Sequence, residues 1–389
     1  MSILGIVAEY NPFHNGHLHH LSAAVSALSP SAVLVALSGP FTQRGEPALL
    51  SPFVRADCAL SAGADAVFAL PVLWTVRDAE HYAMGAVSLL SSLGATHLAF
   101  GAETADLSLL QQTADLLEDP PLSMKKSLHD FLSEGKGYPA ALAEAAGACL
   151  PQSGALLRHP NNILAVCYLR AIRRLGLCLR PFVISRKGSY HSGTVEAGFP
   201  SASALRDSLR RGAWQSVLPA LPHASSAAVR SAFLSMEKPD PRKLDALLIS
   251  RLRSMTAEDA AHLPDCSEGL EFALLKAASH ANSREELISA LSSRRYPEAR
   301  ISRICAYALL NTTRDQLSSL SMPDSVLLLG LKKNPSLTGS WKNHPVKILD
   351  AAKWQHRAHP ADLEAWRLWS LSCGLPASAL FSRRLPTGE

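Results

Sequence analysis

The chain has 389 residues, 47% of them hydrophobic, and a formal net charge of +5 at pH 7, which excludes a disordered polypeptide and predicts two or three domains. No apolar run reaches the roughly 20 residues of a membrane-spanning helix, and the N-terminus has neither a basic n-region nor a small-residue cleavage site. Seven cysteines, scattered singly without a CxxC pair, read as reduced thiols of a cytoplasmic protein.

In chain order, "SILGIVAEY" (2–10) predicts a buried strand. Helical spacing follows from His17 to about Leu28, and Ser29-Pro30 ends it. "SAVLVALSG" (31–39) predicts a second strand that runs into the turn-rich "SGPFTQRGEPALLS". A helix over about 52–62 closes at Gly63. "ADAVFALP" is a third strand, "DAEHYAMGAVSLLSSLG" an amphipathic helix, and "ATHLAFG" a fourth strand that ends at Gly101. Further on come a helix over 161–176, a late strand "RPFVISRKG", a Gly/Ser-rich loop over 189–201, and a helix start at "SASALR" with serine as N-cap. Beyond about residue 215 strand signals nearly vanish, and the patterns are helical.

Strands alternating with helices of 10–15 residues are the pattern of βαβ units around a parallel sheet. The expected fold is therefore α/β, a Rossmann-like domain over 1–212 followed by a mainly α-helical domain over 213–389. Ligands of such sheets bind beyond the carboxyl ends of the strands. The chemistry-bearing residues fall at those ends: Asn11 to His17, Phe41 to Glu46, and Gly101.

At the first of these turns, His14 and His17 frame Asn15-Gly16. The glycine admits close backbone approach, and the helix start offers unpaired N–H groups and a positive dipole end. Two imidazoles there can donate hydrogen bonds to phosphate oxygens. A zinc site is the rival reading, with Glu9 the one nearby acid. The spacing favours phosphate, since metal sites need further ligands at defined positions. His19 and His20 read as partly exposed helix residues. Gln43 and Arg44, beside Gly45, suit a small anion or phosphate, although a polar surface loop fits that segment equally well. Asn161 and Asn162 read as helix-capping residues. Arg186 and Lys187, just past a strand, suit a phosphate or adenine. Ser201, Ser203 and Arg206 at a helix start suit triphosphate oxygens.

Charge is unevenly distributed. Residues 1–150 carry 6 Lys/Arg against 14 Asp/Glu, and residues 151–389 carry 32 against 19. The excess is densest from Arg158 to Arg210, where nine basic residues face only Glu196 and Asp207. A polyanionic partner is one reading and a solvated basic face the other; charge alone favours the second.

H-x-G-H after a first strand, with a late S-x-S-x-x-R helix start, resembles the HxGH nucleotidyltransferase-like superfamily. More closely, "GIVAEYNPFHNGHLHHL", "SGPFTQRGEPALLSPFVRADCALSAGADAVFALP", "HLAFGAE", "PNNILAVCYLRAI" and "PSASALR", in that order over residues 3–210, resemble the bacterial tRNA(Met) cytidine acetate ligases. Over 215–389 the likeness is diffuse, with "ARISRICAYALLNTT" its best segment. The resemblance implies that ATP and acetate form acetyl-adenylate, whose acetyl group passes to N4 of the wobble cytidine of elongator tRNA(Met). It implies His14 and His17 as catalytic residues and Mg²⁺ accompanying the triphosphate. It also implies ATP contacts from Val7, Ala8, Glu9, Tyr10, Asn11, Pro12, Phe13, His14, Asn15, Gly16, His17, Leu18, His19 and His20, and from Gly101, Asn162 and Arg186. The sequence departs from the family pattern at Pro40, Ala102 and Thr104, and the C-terminal motif is reduced to "LLLGLKKN". The basic second half would hold tRNA, with Tyr190, Tyr296 or Trp341 available to stack on bases, though buried packing suits each of them better. Two other readings stand beside this one: an adenylyltransferase acting on a small phosphorylated metabolite, and a catalytically silent RNA-binding protein of the same fold.

Overall fold

The structure, a computed structural model, describes residues 2–186, 201–234, 239–332, 334–341 and 344–381. Lys187, Tyr190 and the loop 189–200 lie outside the described residues.

The strands are β1 (Ile3–Ala8), β2 (Ala32–Ser38), β3 (Ala66–Leu70), β4 (His97–Ala102), β5 (Arg180–Ser185), β6 (Ser325–Leu331) and β7 (Lys347–Leu349). They form one seven-stranded sheet in the order β5-β4-β1-β2-β3-β6-β7. The pairings among β1 to β5 are all parallel. β6 joins β3 antiparallel, and β7 joins β6 parallel. Strand order therefore runs outward from β1 in both directions, which opens a crevice beyond the carboxyl ends of β1 and β4.

The helices of the first half are α1 (Asn15–Leu28), α2 (Pro52–Ser61), α3 (Val72–Thr75), α4 (Ala79–Ser92), α5 (Leu107–Glu118), α6 (Leu122–Ser133), α7 (Tyr138–Cys149), α8 (Pro151–Leu156), α9 (Pro160–Arg174) and α10 (Ala202–Arg210). Two faces of the sheet are covered. Leu4, Ile6 and Ala8 of β1 pack with Leu21 of α1, Phe53 of α2 and Trp366. Ile3 packs on the other face with Leu90 of α4 and Val166 of α9. The period-2 alternation of β1 thus serves two apolar layers. Local signals set the helix starts: Ser51 caps α2, with Pro52 at its first position, and Asp78 accepts from the backbone of Glu80 and His81 at the start of α4.

Three expectations are corrected. α1 begins at Asn15 rather than His17, because the His14 ring acts as its N-cap. Helices α5 to α8 fill residues 107–156, where no elements were anticipated. Two strands, β6 and β7, stand in the region expected to lack them. "SVLLLGL" buries Val326 and Leu328 on one face of the sheet and Leu327 and Leu329 on the other. A strand apolar on both faces has no alternation to betray it.

Several of the helices after residue 213 bury a further core that includes Leu248, Ile304, Tyr307 and Leu368, together with Phe41, Val72 and Val76 from the first half. Asp362, on the helix Pro360–Cys373, accepts from Val72 N at 2.6 Å. Burial pushes its carboxyl up from 3.8 to about 7. A raised pKa means that the folded state holds the proton more tightly, so the contribution is complete below about pH 4 and lost as pH climbs through 7. The cost at pH 8 reaches up to about 4 kcal/mol. Asp362→Asn keeps an acceptor for Val72 and is expected to raise the melting temperature more at pH 8 than at pH 5, which thermal denaturation at both pH values checks.

Candidate active site

The histidine turn stands at the carboxyl end of β1, in the crevice. His14 Nδ1 accepts from Gly16 N at 3.0 Å, and His14 N donates to His17 Nδ1 at 3.3 Å. This reciprocal cap satisfies two of the donors left open at a helix start. It also fixes chemistry: with each Nδ1 engaged as an acceptor, the proton of the neutral ring sits on Nε2. The two rings stack with centroids 3.8 Å apart and planes at 26°. Behind them, Tyr10 meets His17 edge-on at 4.9 Å and Phe13 at 4.7 Å. The Asn11–Pro12 peptide is cis.

Burial, helped by the charges of Arg186 and Arg206, lowers His14 to about 4. Burial lowers His17 well below the usual imidazole value, and His14 and Arg186 push it the same way while the Pro12 carbonyl opposes them. At neutral pH the pair are neutral Nε2–H donors. A polyanion arriving between the two arginines would meet donors already oriented, at a helix N-terminus that favours negative charge.

Arg186 lies beside Gly101, where a Cβ would come within 3.2 Å of its Cγ and 3.6 Å of His20 Cδ2. Its Nη1 donates to Asn161 Oδ1 at 2.9 Å, and Asn161 is itself held by Glu103 Oε1 at 2.5 Å. Arg206, from the first turns of α10, donates to the Asn11 carbonyl at 3.0 Å. The fold therefore brings His14, His17, His20, Gly101, Arg186 and Arg206 together from four separate stretches of chain. His20 is drawn in as well: its Nε2 is buried without a hydrogen-bond partner, and burial lowers it to about 4.

Other sequence-derived candidates stand differently. Asn162 is buried with its amide engaged inside the protein, Nδ2 donating to Thr104 Oγ1 and the Leu156 carbonyl and Oδ1 accepting from Thr104 N. It shapes the turn after β4. Ser201 caps α10 by accepting from Ala204 N at 3.2 Å, and Ser203 is exposed. Tyr10 is buried, Val7 and Ala8 belong to β1, and Asn11 Oδ1 accepts from Leu49 N at 2.8 Å. Gln43 N donates to Glu9 Oε1 at 2.7 Å. Arg44 is exposed, its carbonyl accepting from Ser302 Oγ. Gly45 has φ +76, and a Cβ there would lie 2.9 Å from the Ser302 carbonyl. Among the described residues, no group of three or more His, Cys, Asp or Glu side chains converges as a metal site.

Sequence reasoning missed Arg55. It is fully buried in α2 and donates to the carbonyls of Leu50 (3.1 Å), Glu9 (2.6 Å) and Gly39 (2.5 Å) and to Ser38 Oγ (3.4 Å). One guanidinium thus ties the ends of β1 and β2 to the loop before α2. Burial lowers it only to about 10, so it stays charged. A lone arginine in the apolar run "PFVRADCALSAG" was the available signal.

The basic stretch 158–210 is also less open than its composition implies. Arg170 pairs with Glu80 at 2.9 Å and Glu118 at 3.0 Å, Arg174 with the same two acids, and Arg173 with Asp115. These bridges fasten α9 to α4 and α5.

Comparison with known proteins shows the family and the fold. Residues 1–372 match the family described as HIGH nucleotidyl transferase. A tRNA(Met) cytidine acetate ligase of Syntrophomonas wolfei is 39% identical over 325 residues, covering 82% of this chain and 78% of that protein. The tRNA(Met) cytidine acetate ligase of Bacillus subtilis is 32% identical over 98% of this chain and 95% of its own length. A crystal structure of Thermotoga maritima TmcAL bound with alpha-thio ATP superposes with a TM-score of 0.87 at 27% identity, covering 96% of this chain and 95% of that one.

Proposed function

The chain belongs to the HIGH nucleotidyl transferase family and, within it, to the tRNA(Met) cytidine acetate ligases, and from that premise we propose that it activates acetate with ATP and acetylates N4 of the wobble cytidine of elongator tRNA(Met). It is an ATP-dependent, tRNA-modifying ligase. The observation that carries the chemistry is the pair of neutral, Nε2-protonated imidazoles at the start of α1, flanked by Arg186 and Arg206.

In this reading the acetate oxygen attacks the α-phosphorus of ATP in line, and pyrophosphate leaves. His14 and His17 donate to phosphate oxygens as charge shifts onto the leaving group. Positioning and electrostatics carry such a step, with no nucleophilic side chain required. Arg186, steadied by Asn161, lies where the nucleotide would pass Gly101. Mg²⁺ would enter with the triphosphate, held by phosphate oxygens and water rather than by a dedicated protein cage, and would neutralise charge on the leaving pyrophosphate. We assign catalysis to residues 1–212 and a tRNA-binding contribution to residues 213–389. A cytoplasmic setting suits both a tRNA substrate and seven free thiols.

The test incubates the pure protein with ATP, labelled acetate and bulk tRNA, then digests the tRNA. N4-acetylcytidine that depends on both ATP and acetate is the expected product. ATP consumed on a small phosphorylated metabolite, with no acetylated tRNA, would overturn the reading.

Because Arg174 is engaged with Glu80 and Glu118, Arg174→Ala is expected to lower stability by about 1 kcal/mol or less and to leave tRNA affinity within about twofold of the parent, far less than loss of a desolvated phosphate contact would cost. Urea denaturation and filter binding check the two halves.

A further inference from the structure

The two asparagines at the start of α9 divide two tasks. Asn162 turns inward and holds Thr104 and the Leu156 carbonyl. Asn161 stands between an acid and a cation. Its Nδ2 donates to Glu103 Oε1 at 2.5 Å, and its Oδ1 accepts from Arg186 Nη1 at 2.9 Å. A carboxylate can only accept and a guanidinium can only donate, so the amide between them has one permitted orientation. Glu103 is fixed in turn by the helix start. Its Oε2 accepts from Asn162 N at 2.9 Å, and its Oε1 also accepts from Asn161 N at 3.4 Å.

Arg186 needs such an anchor. It is exposed, just past β5, with its backbone N–H donating to the Ala102 carbonyl at 3.0 Å. A free arginine side chain there would spread over many rotamers, and a nucleotide would have to order it on binding. Instead the side chain lies across Gly101, with its Cγ 3.2 Å from where a Cβ would stand. Its charge reaches the histidine turn, where it helps to lower His14, His17 and His20. An acid in direct contact would offset part of that charge before any nucleotide arrived. Among the described residues, no ion pair joins Glu103 to Arg186 directly; the link runs through the amide.

Resting on the ATP-dependent reading above, we propose that Glu103 is a positioning residue: by fixing the Asn161 amide, it holds the Arg186 guanidinium beside Gly101, pre-set for the nucleotide and with its charge intact. Glu103 acts through Arg186 and touches no substrate.

Glu103→Gln leaves one acceptor oxygen for two donors. With that oxygen on Asn162 N, the new NH₂ group faces the Asn161 amide, which can then turn its own NH₂ onto the guanidinium. Two quantities are expected to rise about five- to tenfold: KM for ATP in acetate-dependent ATP–pyrophosphate exchange, and Kd for ATP alone by calorimetry. That is the cost of leaving one long side chain to be ordered on binding, and kcat is expected to stay within about twofold. Asn161→Ala spares the contact of Glu103 with Asn162 N, and is expected to give the same rise with that cap intact. In an Arg186→Ala background, either substitution is expected to change Kd by less than about twofold, because the group they position is gone. Unchanged Kd in both single variants overturns the proposal. A lower kcat and melting temperature at constant KM also overturns it, leaving Glu103 only the capping of α9. So does a full, additive loss in the Arg186→Ala background, which would put Glu103 or Asn161 against the nucleotide or its Mg²⁺. A parent that binds ATP yet shows no acetate-dependent exchange would remove the acetate-ligase reading, while the Kd values would still decide the role of Glu103.

Discussion

His17→Ala is expected to reduce acetate-dependent ATP–pyrophosphate exchange by about 10²–10³-fold, the cost of removing one preorganised donor from a developing charge. The ring lies against His14 at 3.8 Å and is fixed by the backbone N–H of His14, so its Nε2–H is held in one direction. The turn has no rotational slack to compensate, because Tyr10 and Phe13 are buried beneath it. His14→Ala is expected to match that loss and to add a stability cost of about 1 kcal/mol for the missing cap. Filter binding of tRNA should be nearly unaffected in both. Loss of tRNA binding with normal exchange would overturn the assignment of these rings to the phosphate chemistry.

Arg55→Met is expected to destabilise the fold by about 3–5 kcal/mol, measured by urea denaturation, even though no carboxylate bridges the guanidinium. The carbonyls of Leu50, Glu9 and Gly39 would lose a charged donor, and each buried, unsatisfied acceptor costs about 1–3 kcal/mol. Methionine fills part of the volume but satisfies none of them. The ends of β1 and β2 would then part, and exchange activity should fall further than the unfolded fraction explains. Arg55→Lys is expected to rescue little. A lysine ammonium cannot reproduce the planar fork that spans three carbonyls, and burial would drive it toward the neutral form.

The α/β alternation, the strand ends and the paired histidines were legible because each has a local cause: apolar runs of strand length, caps, and a glycine-containing turn. Arg186 and Arg206 were legible as residue types at element ends. What could not be read was which partners would claim them. Asn162 looked like a free cap or ligand, but its amide is engaged by Thr104 and Leu156. Arg170 and Arg174 looked like an RNA-binding face, but acids 52 to 94 positions away pair with them. Such contacts are set by tertiary packing, which carries no short-range signature. β6 escaped for the opposite reason, since burial on both faces erases the alternation that marks a strand.

β6 also bears on how the protein is made. Its partner β3 ends at Leu70, whereas β6 begins at Ser325. During translation the parallel strands β1 to β5 can emerge and pair long before β6 leaves the ribosome. Throughout that interval the outer edge of β3 presents unpaired backbone groups, the template on which stray chains assemble. A fragment ending at residue 212 would keep that edge for good, and is expected to aggregate where the full-length chain stays monodisperse in light scattering. Sealing the sheet that starts with β1 thus waits for β6, so ribosome stalling before Ser325 would release a chain with its histidine turn formed and its sheet still open.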